Sequence, residues 1–206
     1  MISKQLQKKI DQALKLLQSV AMGYDGQIEV AYSGGKDSDV ILQLAKEAGI
    51  NYRAIYKNTT IDPPGTISHA MKMGAEVVRP KESFFELIAK RGFPNRNRRI
   101  CCDALKEYQY DKKLKKVIMG VRKSESTARS KNYDEPTKCL GNKRHPYEAI
   151  YPLLDWTDCD VRDFILDRGI TCAPVYYDSG GGVSRRKEIG MYVLPSCLLQ
   201  ASHRGV

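Results

Sequence analysis

Ile28-Glu29-Val30-Ala31-Tyr32-Ser33-Gly34-Gly35-Lys36-Asp37-Ser38-Asp39-Val40-Ile41 is the stretch on which the reading of this chain turns. Its first five residues form a short apolar run, the pattern of a buried strand. From Asp39 the period changes. Val40, Ile41, Leu44 and Ala45 recur at helical spacing, and Gly49 stops the run. Residues 33–38 are therefore a tight strand-to-helix turn. Gly34 and Gly35 permit backbone angles closed to other residues and let a ligand approach the main chain. Consecutive N–H groups then face one concavity, and the helix start adds its positive end. Lys36 supplies a full charge, and Ser33 and Ser38 supply hydroxyls. Asp37 either caps the helix or holds a magnesium ion that bridges phosphates. The turn reads as a phosphate cradle, with Lys36 and Asp37 as candidate catalytic groups. Neither G-x-x-x-x-G-K-[ST] nor G-x-G-x-x-G is present.

Working outward, residues 3–20 predict a helix, with Leu6, Ile10, Ala13, Leu14 and Leu17 on one stripe. Strands are expected at 52–56, 76–78 and 117–119, and helices at 66–73, 82–90 and 102–114. The two prolines in 58–65 force a loop. Alternating strands and helices predict an α/β fold, a Rossmann-like parallel sheet with helices on both faces. In such sheets ligands sit beyond the carboxyl ends of the strands. The segments 33–38, 58–65 and 120–129 all fall there. Past Lys131 the pattern turns irregular and polar. An edge strand is expected at 149–153, then a helix after 155–158 with Thr157 as N-cap. Trp156, the one tryptophan, is expected to pack against that helix start.

The 206 residues predict one domain, with an N-terminal helix over 1–22 and an irregular segment over 179–206. No long apolar run or signal-peptide pattern is present, so a cytoplasmic protein is expected. The net charge of +10 is not spread evenly: residues 79–131 hold sixteen Lys/Arg against six Asp/Glu, and the remainder cancels. Such a block concentrates an anionic ligand, either a polyphosphate or a nucleic acid. For Lys112, Lys113, Lys115 and Lys116 a solvated face is the plainer reading. Six cysteines without a C-x-x-C, and three histidines without zinc spacing, read as buried or free thiols rather than a disulfide framework.

The Ser33–Ser38 loop resembles the S-G-G-x-D-S signature of the PP-loop superfamily, the adenine nucleotide alpha-hydrolase-like proteins. Four later blocks follow in order. They are Thr59-Thr60-Ile61-Asp62-Pro63-Pro64, Arg99-Ile100-Cys101-Cys102-Asp103-Ala104-Leu105-Lys106, Gly120-Val121-Arg122-Lys123-Ser124-Glu125-Ser126 with Arg129, and Pro152-Leu153-Leu154-Asp155-Trp156-Thr157-Asp158 ending in Asp160-Val161. Together, over about residues 28–178, they resemble the phosphoadenosine phosphosulfate reductase family, specifically bacterial and phage members with an ATP-type loop. The resemblance implies a nucleotide site lined by Ser33, Gly34, Gly35, Lys36, Asp37, Ser38, Asp62, Arg99, Gly120, Arg122, Glu125 and Arg129. Arg122 and Arg129 would contact phosphate or sulfate oxygens. Asp62 would hold a ribose or metal, or serve as an ordinary turn residue before Pro63. Glu125 would orient an arginine or reach a ribose, with a surface ion-pair cluster as the alternative for Arg122, Glu125 and Arg129. Arg96, Arg98 and Arg99 suggest an anion clamp or a solvated loop. Tyr32 and Tyr56 offer adenine-stacking faces or core packing.

The chain also departs from that family. Reductases carry an E-C-G-L-H-like tail, whereas the last 17 residues here, GMYVLPSCLLQASHRGV, lack that motif and hold Cys197 with apolar neighbours. Cluster-bearing relatives show R-x-G-C-x-G-C, where residues 186–191 here put Glu188 and Met191 at the two cysteine positions. An iron–sulfur cluster is therefore not expected. The implied ligand is ATP or a phosphoadenosine phosphosulfate-like adenine nucleotide, with Mg²⁺ admitted. Three functions follow: an ATP pyrophosphatase or adenylyl transferase, a thiol-dependent sulfonucleotide oxidoreductase of sulfur metabolism, or a non-catalytic nucleotide-binding module. The last includes a subunit of a nucleic-acid sulfur-modification system. A homodimer or partner protein is compatible with all three, and a membrane is not.

Overall fold

The structure, a computed structural model, describes residues 2–95, 100–106, 114–125, 133–142 and 145–176. Helix α1 (Lys4–Ala21) is opened by Ser3, whose hydroxyl accepts from the Leu6 N–H, and buries Leu6, Ile10, Ala13 and Leu17. Then follow β1 (Ile28–Tyr32), α2 (Lys36–Glu47), β2 (Tyr52–Lys57), α3 (Thr66–Lys72) and β3 (Glu76–Val78). Helix α4 (Phe84–Arg91) has a full Ser83/Glu86 capping box. Residues Cys102–Lys106 form a π-helical turn, and strand β4 (Lys116–Ile118) leads into a 3₁₀ turn, Lys123–Glu125. Strands β5 (Thr137–Asn142) and β6 (His145–Ile150) precede α5 (Asp158–Arg168) and a 3₁₀ turn, Pro174–Tyr176.

The six strands form one sheet in the order β3-β2-β1-β4-β6-β5. All pairs are parallel except β5–β6. From β1 the chain winds outward through β2 and β3, then returns to β4 on the other side of β1. The direction of winding reverses between β1 and β4, which opens a crevice above their carboxyl ends. The mainly parallel α/β sheet flanked by helices matches the sequence expectation.

The strand at the far end does not. Strand β6 runs through residues 145–150 and lies inside the sheet, between β4 and β5. The edge is β5, in the stretch read as irregular. Thr-Lys-Cys-Leu-Gly-Asn carries little local strand signal, and its order comes from antiparallel pairing with β6.

Strand side chains alternate between two faces. Val30, Tyr32, Ala54, Tyr56, Ile118 and Ile150 enter the main core with α1, α2 and α5. Ile55 and Ala149 belong to separate clusters, the first with Val78 and Leu114 and the second with Tyr151 and Leu154. Trp156 is buried and edge-on to Phe164 of α5, at 5.5 Å between ring centroids. Lys9 ties α1 to α5 through Asp160, 2.6 Å away. Thr157 caps α5 in a capping box with Asp160. Lys116 is not merely solvated: it donates to the Val20 carbonyl at 2.6 Å and lies over the Tyr24 ring. No helix among the described residues is long and apolar enough to cross a membrane.

Candidate functional site

Strand β1 delivers the 33–38 loop to the crevice, and α2 begins inside it. Gly34 has φ +74°, and a Cβ there would lie 2.5 Å from Thr66 Cγ2. Both its backbone angle and its contact with α3 therefore require glycine. Gly35 is the N-cap of α2 and offers no side-chain cap. The Ser38 hydroxyl donates to the Gly35 carbonyl at 2.6 Å, and Ser33 Oγ lies 3.4 Å from Ser38 Oγ. These hydroxyls brace the loop.

A cleft of about 230 Å³ opens here. Ala31, Ser33, Gly35, Asp37 and Ser38 line one wall, and Gly120, Val121 and Glu125 line the other. The walls meet closely: a Cβ on Gly120 would sit 3.3 Å from the Asp37 backbone. Six predicted residues (Ser33, Gly35, Asp37, Ser38, Gly120 and Glu125) thus share one cavity.

Beside it lies a knot of four charges. Arg122, only 2% exposed, places Nε 2.9 Å from Asp37 Oδ1 and Nη2 2.8 Å from Asp158 Oδ1. Its Nη1 donates to Ser124 Oγ at 3.1 Å. Lys36 Nζ lies 3.2 Å from Asp37 and 3.5 Å from Asp158. Two cations and two carboxylates balance. Arg122 is therefore a buried brace between the loop and α5 rather than an arginine extended toward a phosphate. Asp158, absent from the sequence-derived set, is its second anchor. Burial pushes the Asp158 carboxyl up, but hydrogen bonding and charge from Arg122, aided by Lys36, hold it below the usual carboxylate range.

Under the loop is a buried polar cluster. Asp39, fully buried on α2, accepts from the Tyr32 hydroxyl, and His69 Nε2 of α3 lies 2.9 Å from the same oxygen. Burial raises the Asp39 carboxyl despite the opposing hydrogen bonds from Tyr32 and His69. Burial and then Asp39 raise the Tyr32 phenol. Sequence reasoning missed this cluster. Its one local signal is a carboxylate, Asp39, at the head of an apolar helix face. His69 carries no signal of its own because it lies thirty residues away.

The remaining predicted residues are dispersed. Asp62 accepts from the Thr59 N–H at 2.9 Å, so it organises the turn after β2. Tyr56 is core, its phenol raised by burial and by Asp62. Arg96, Arg98, Arg99, Arg129, Glu188, Met191 and Cys197 lie outside the described residues. Cys101, Cys139 and Cys172 stand outside disulfides, Cys172 buried and hydrogen-bonded to Asp39, and Cys159 is disulfide-bonded, where the sequence reads as mostly buried or free thiols.

The pattern of the phosphoadenosine phosphosulfate reductase domain matches residues 27–192. The chain belongs to this family. Family membership and the mainly parallel sheet together put it in the PP-loop superfamily. An uncharacterized protein of Methanocaldococcus jannaschii is 30% identical over 94% of this chain and 47% of its own length. Sulfate adenylyltransferase subunit 2 of Sulfurimonas denitrificans is 24% identical over 81% of this chain and 65% of its own. The chain thus spans about half to two thirds of the curated relatives it matches. Phosphoadenylyl-sulfate reductase from Candida auris, solved as a phosphate complex, superimposes with TM-score 0.62 at 16% identity, covering 89% of this chain and 96% of that one. At that identity the likeness concerns the fold. The family binds adenine nucleotides, which agrees in kind with a cleft lined by residues of the 33–38 loop and of 120–125.

Proposed function

We propose that this chain binds ATP in the cleft between the 33–38 loop and residues 120–125, and catalyses attack on the α-phosphorus with release of pyrophosphate. One observation carries the reading: the cleft lined by Ser33, Gly35, Asp37 and Ser38 at the start of α2, with Lys36 beside it, lies where the sheet reverses its winding. An acceptor oxygen or sulfur forms a bond to the α-phosphorus. The bond from that phosphorus to the α,β-bridging oxygen breaks. The bridging oxygen takes the electron pair away in pyrophosphate, and the acceptor's proton passes to solvent.

In this reading the loop amides and Lys36 stabilise the charge on the leaving group. Asp37 is the carboxylate that would hold Mg²⁺, because one carboxylate with phosphate oxygens is a usual magnesium donor set. The ion would neutralise phosphate charge. Arg99, Arg129, Asp62 and Glu125 complete the proposed nucleotide set. Incubation with α-labelled ATP and Mg²⁺ tests it. AMP or an adenylylated product, lost in Lys36→Met, supports the reading, and ADP refutes it.

Sulfonucleotide reduction is the second reading, favoured by the family pattern itself. Its signature is sulfite released from phosphoadenosine phosphosulfate with a thiol donor, abolished by Cys197→Ser.

A further inference from the structure

The first amide of α2 already has a partner. The Lys36 N–H donates to the phenol oxygen of Tyr176, 3.1 Å away and 140 residues later in the chain. The same oxygen sits against Gly35, where a Cβ would come within 3.3 Å of it. Ser38 cannot take this place, because its hydroxyl is turned to the Gly35 carbonyl. Among the described residues, the phenol therefore caps the helix end that the loop exposes for an anion.

The tyrosine is held there by its own segment. Cys172 and Ala173 are buried, and the Tyr176 N–H donates to the Ala173 carbonyl at 3.0 Å. Pro174 packs on Gly65 at the start of α3, where a Cβ would lie 3.1 Å from the proline ring. Gly65 has φ +85°. The turn Pro174–Tyr176 thus rests on the wall of the site, with its half-buried phenol on the loop amide.

A neutral phenol oxygen is a weaker acceptor for an amide at a helix start than an anionic phosphate oxygen. We propose that Tyr176 is an internal competitor for the phosphate position: its hydroxyl occupies the Lys36 amide until a phosphate oxygen displaces it, and so sets the affinity of the site for polyphosphate. This deepens the nucleotide-binding reading and rests on it.

The test is calorimetric titration of the full chain and of Tyr176→Phe with MgATP, inorganic pyrophosphate and adenosine at fixed ionic strength. Phenylalanine keeps the ring and removes the acceptor. Losing a net neutral hydrogen bond from the unliganded state should tighten ATP and pyrophosphate about two- to tenfold. Adenosine, which offers no phosphate oxygen, should bind both proteins alike. A second measurement needs no variant: saturating pyrophosphate should speed amide hydrogen exchange of residues 173–176 in the wild-type chain. Weaker or unchanged ATP and pyrophosphate binding by Tyr176→Phe overturns the competitor role alone, as does slower exchange at 173–176. Failure of both proteins to bind any of the phosphates overturns the nucleotide reading and this inference together.

Discussion

Gly34→Ala is the sharpest perturbation of the loop, because its effect separates into two parts. At φ +74° an alanine enters the left-handed region, which costs about 1–2 kcal/mol. The new methyl would also lie 2.5 Å from Thr66 Cγ2, far inside the roughly 3.5–4.0 Å optimum for carbon contacts. Thr66 is buried, and its hydroxyl donates to the Pro63 carbonyl at 2.8 Å. Rotating the side chain away therefore gives up a hydrogen bond of about 0.5–1.5 kcal/mol net. Together they amount to about 1.5–3.5 kcal/mol of lost stability. Urea unfolding followed by fluorescence of Trp156, the one tryptophan and buried, measures it directly. Thr66→Ser removes Cγ2 and keeps the hydroxyl. The double variant should recover the contact part and leave the backbone part, a coupling of about 1 kcal/mol in the cycle. A Gly34→Ala protein within about 0.5 kcal/mol of wild type, the range of a neutral surface change, would refute the reasoning.

Three further outcomes are expected. Arg122→Leu leaves Lys36 alone to neutralise both Asp37 and Asp158. The variant's urea midpoint should fall by the equivalent of about 2–3 kcal/mol, less than the about 3–5 kcal/mol of a fully buried pair because the Asp158 side chain is 57% exposed. Lys36→Met should weaken MgATP binding at least about tenfold in calorimetry while changing stability by less than about 1 kcal/mol, since its own ion pairs are long and partly exposed. Thermal melting across pH should show two opposite signs. Asp158 has a lowered folded value, so its contribution is present above the unfolded 3.8 and is lost as pH falls below it; Asp158→Asn should flatten that acid limb. Asp39 has a raised folded value, so its contribution is present below 3.8 and declines as pH rises through the folded value; Asp39→Asn should remove that decline.

Local rules made the first half of the chain legible. The period change from residues 28–32 to Val40 and Ile41, the paired glycines, and the stops at Gly49 and Gly74 each act over a few residues. They therefore leave their mark in the sequence, and the strands and helices from α1 to α4 follow from them. Of the helix expected at 102–114, by contrast, the structure shows a π-helical turn at Cys102–Lys106, and residues 107–113 lie outside the described residues. The crevice was legible too, because the alternation of strands and helices dictates where parallel strands end. Past residue 132 local pattern failed. Strand β5 exists through its pairing with β6, and β6 through its place beside β4.

At the site the same division holds. The amino-acid sequence by itself determined that residues 33–38 form a glycine-bearing turn from β1 into the start of α2 with Lys36 in it, since glycine freedom, helix polarity and Lys36 belong to six adjacent residues. Only the tertiary structure decided what else those residues touch. Arg122 and Asp158 meet Lys36 and Asp37 from two other elements, His69 meets Asp39 from α3, and Tyr176 meets the Lys36 amide from 140 residues away. The physical reason is range. Backbone angles and helix ends are set by neighbours in the chain, whereas ion pairs and buried hydrogen bonds are set by packing, which brings together residues that no sequence period relates.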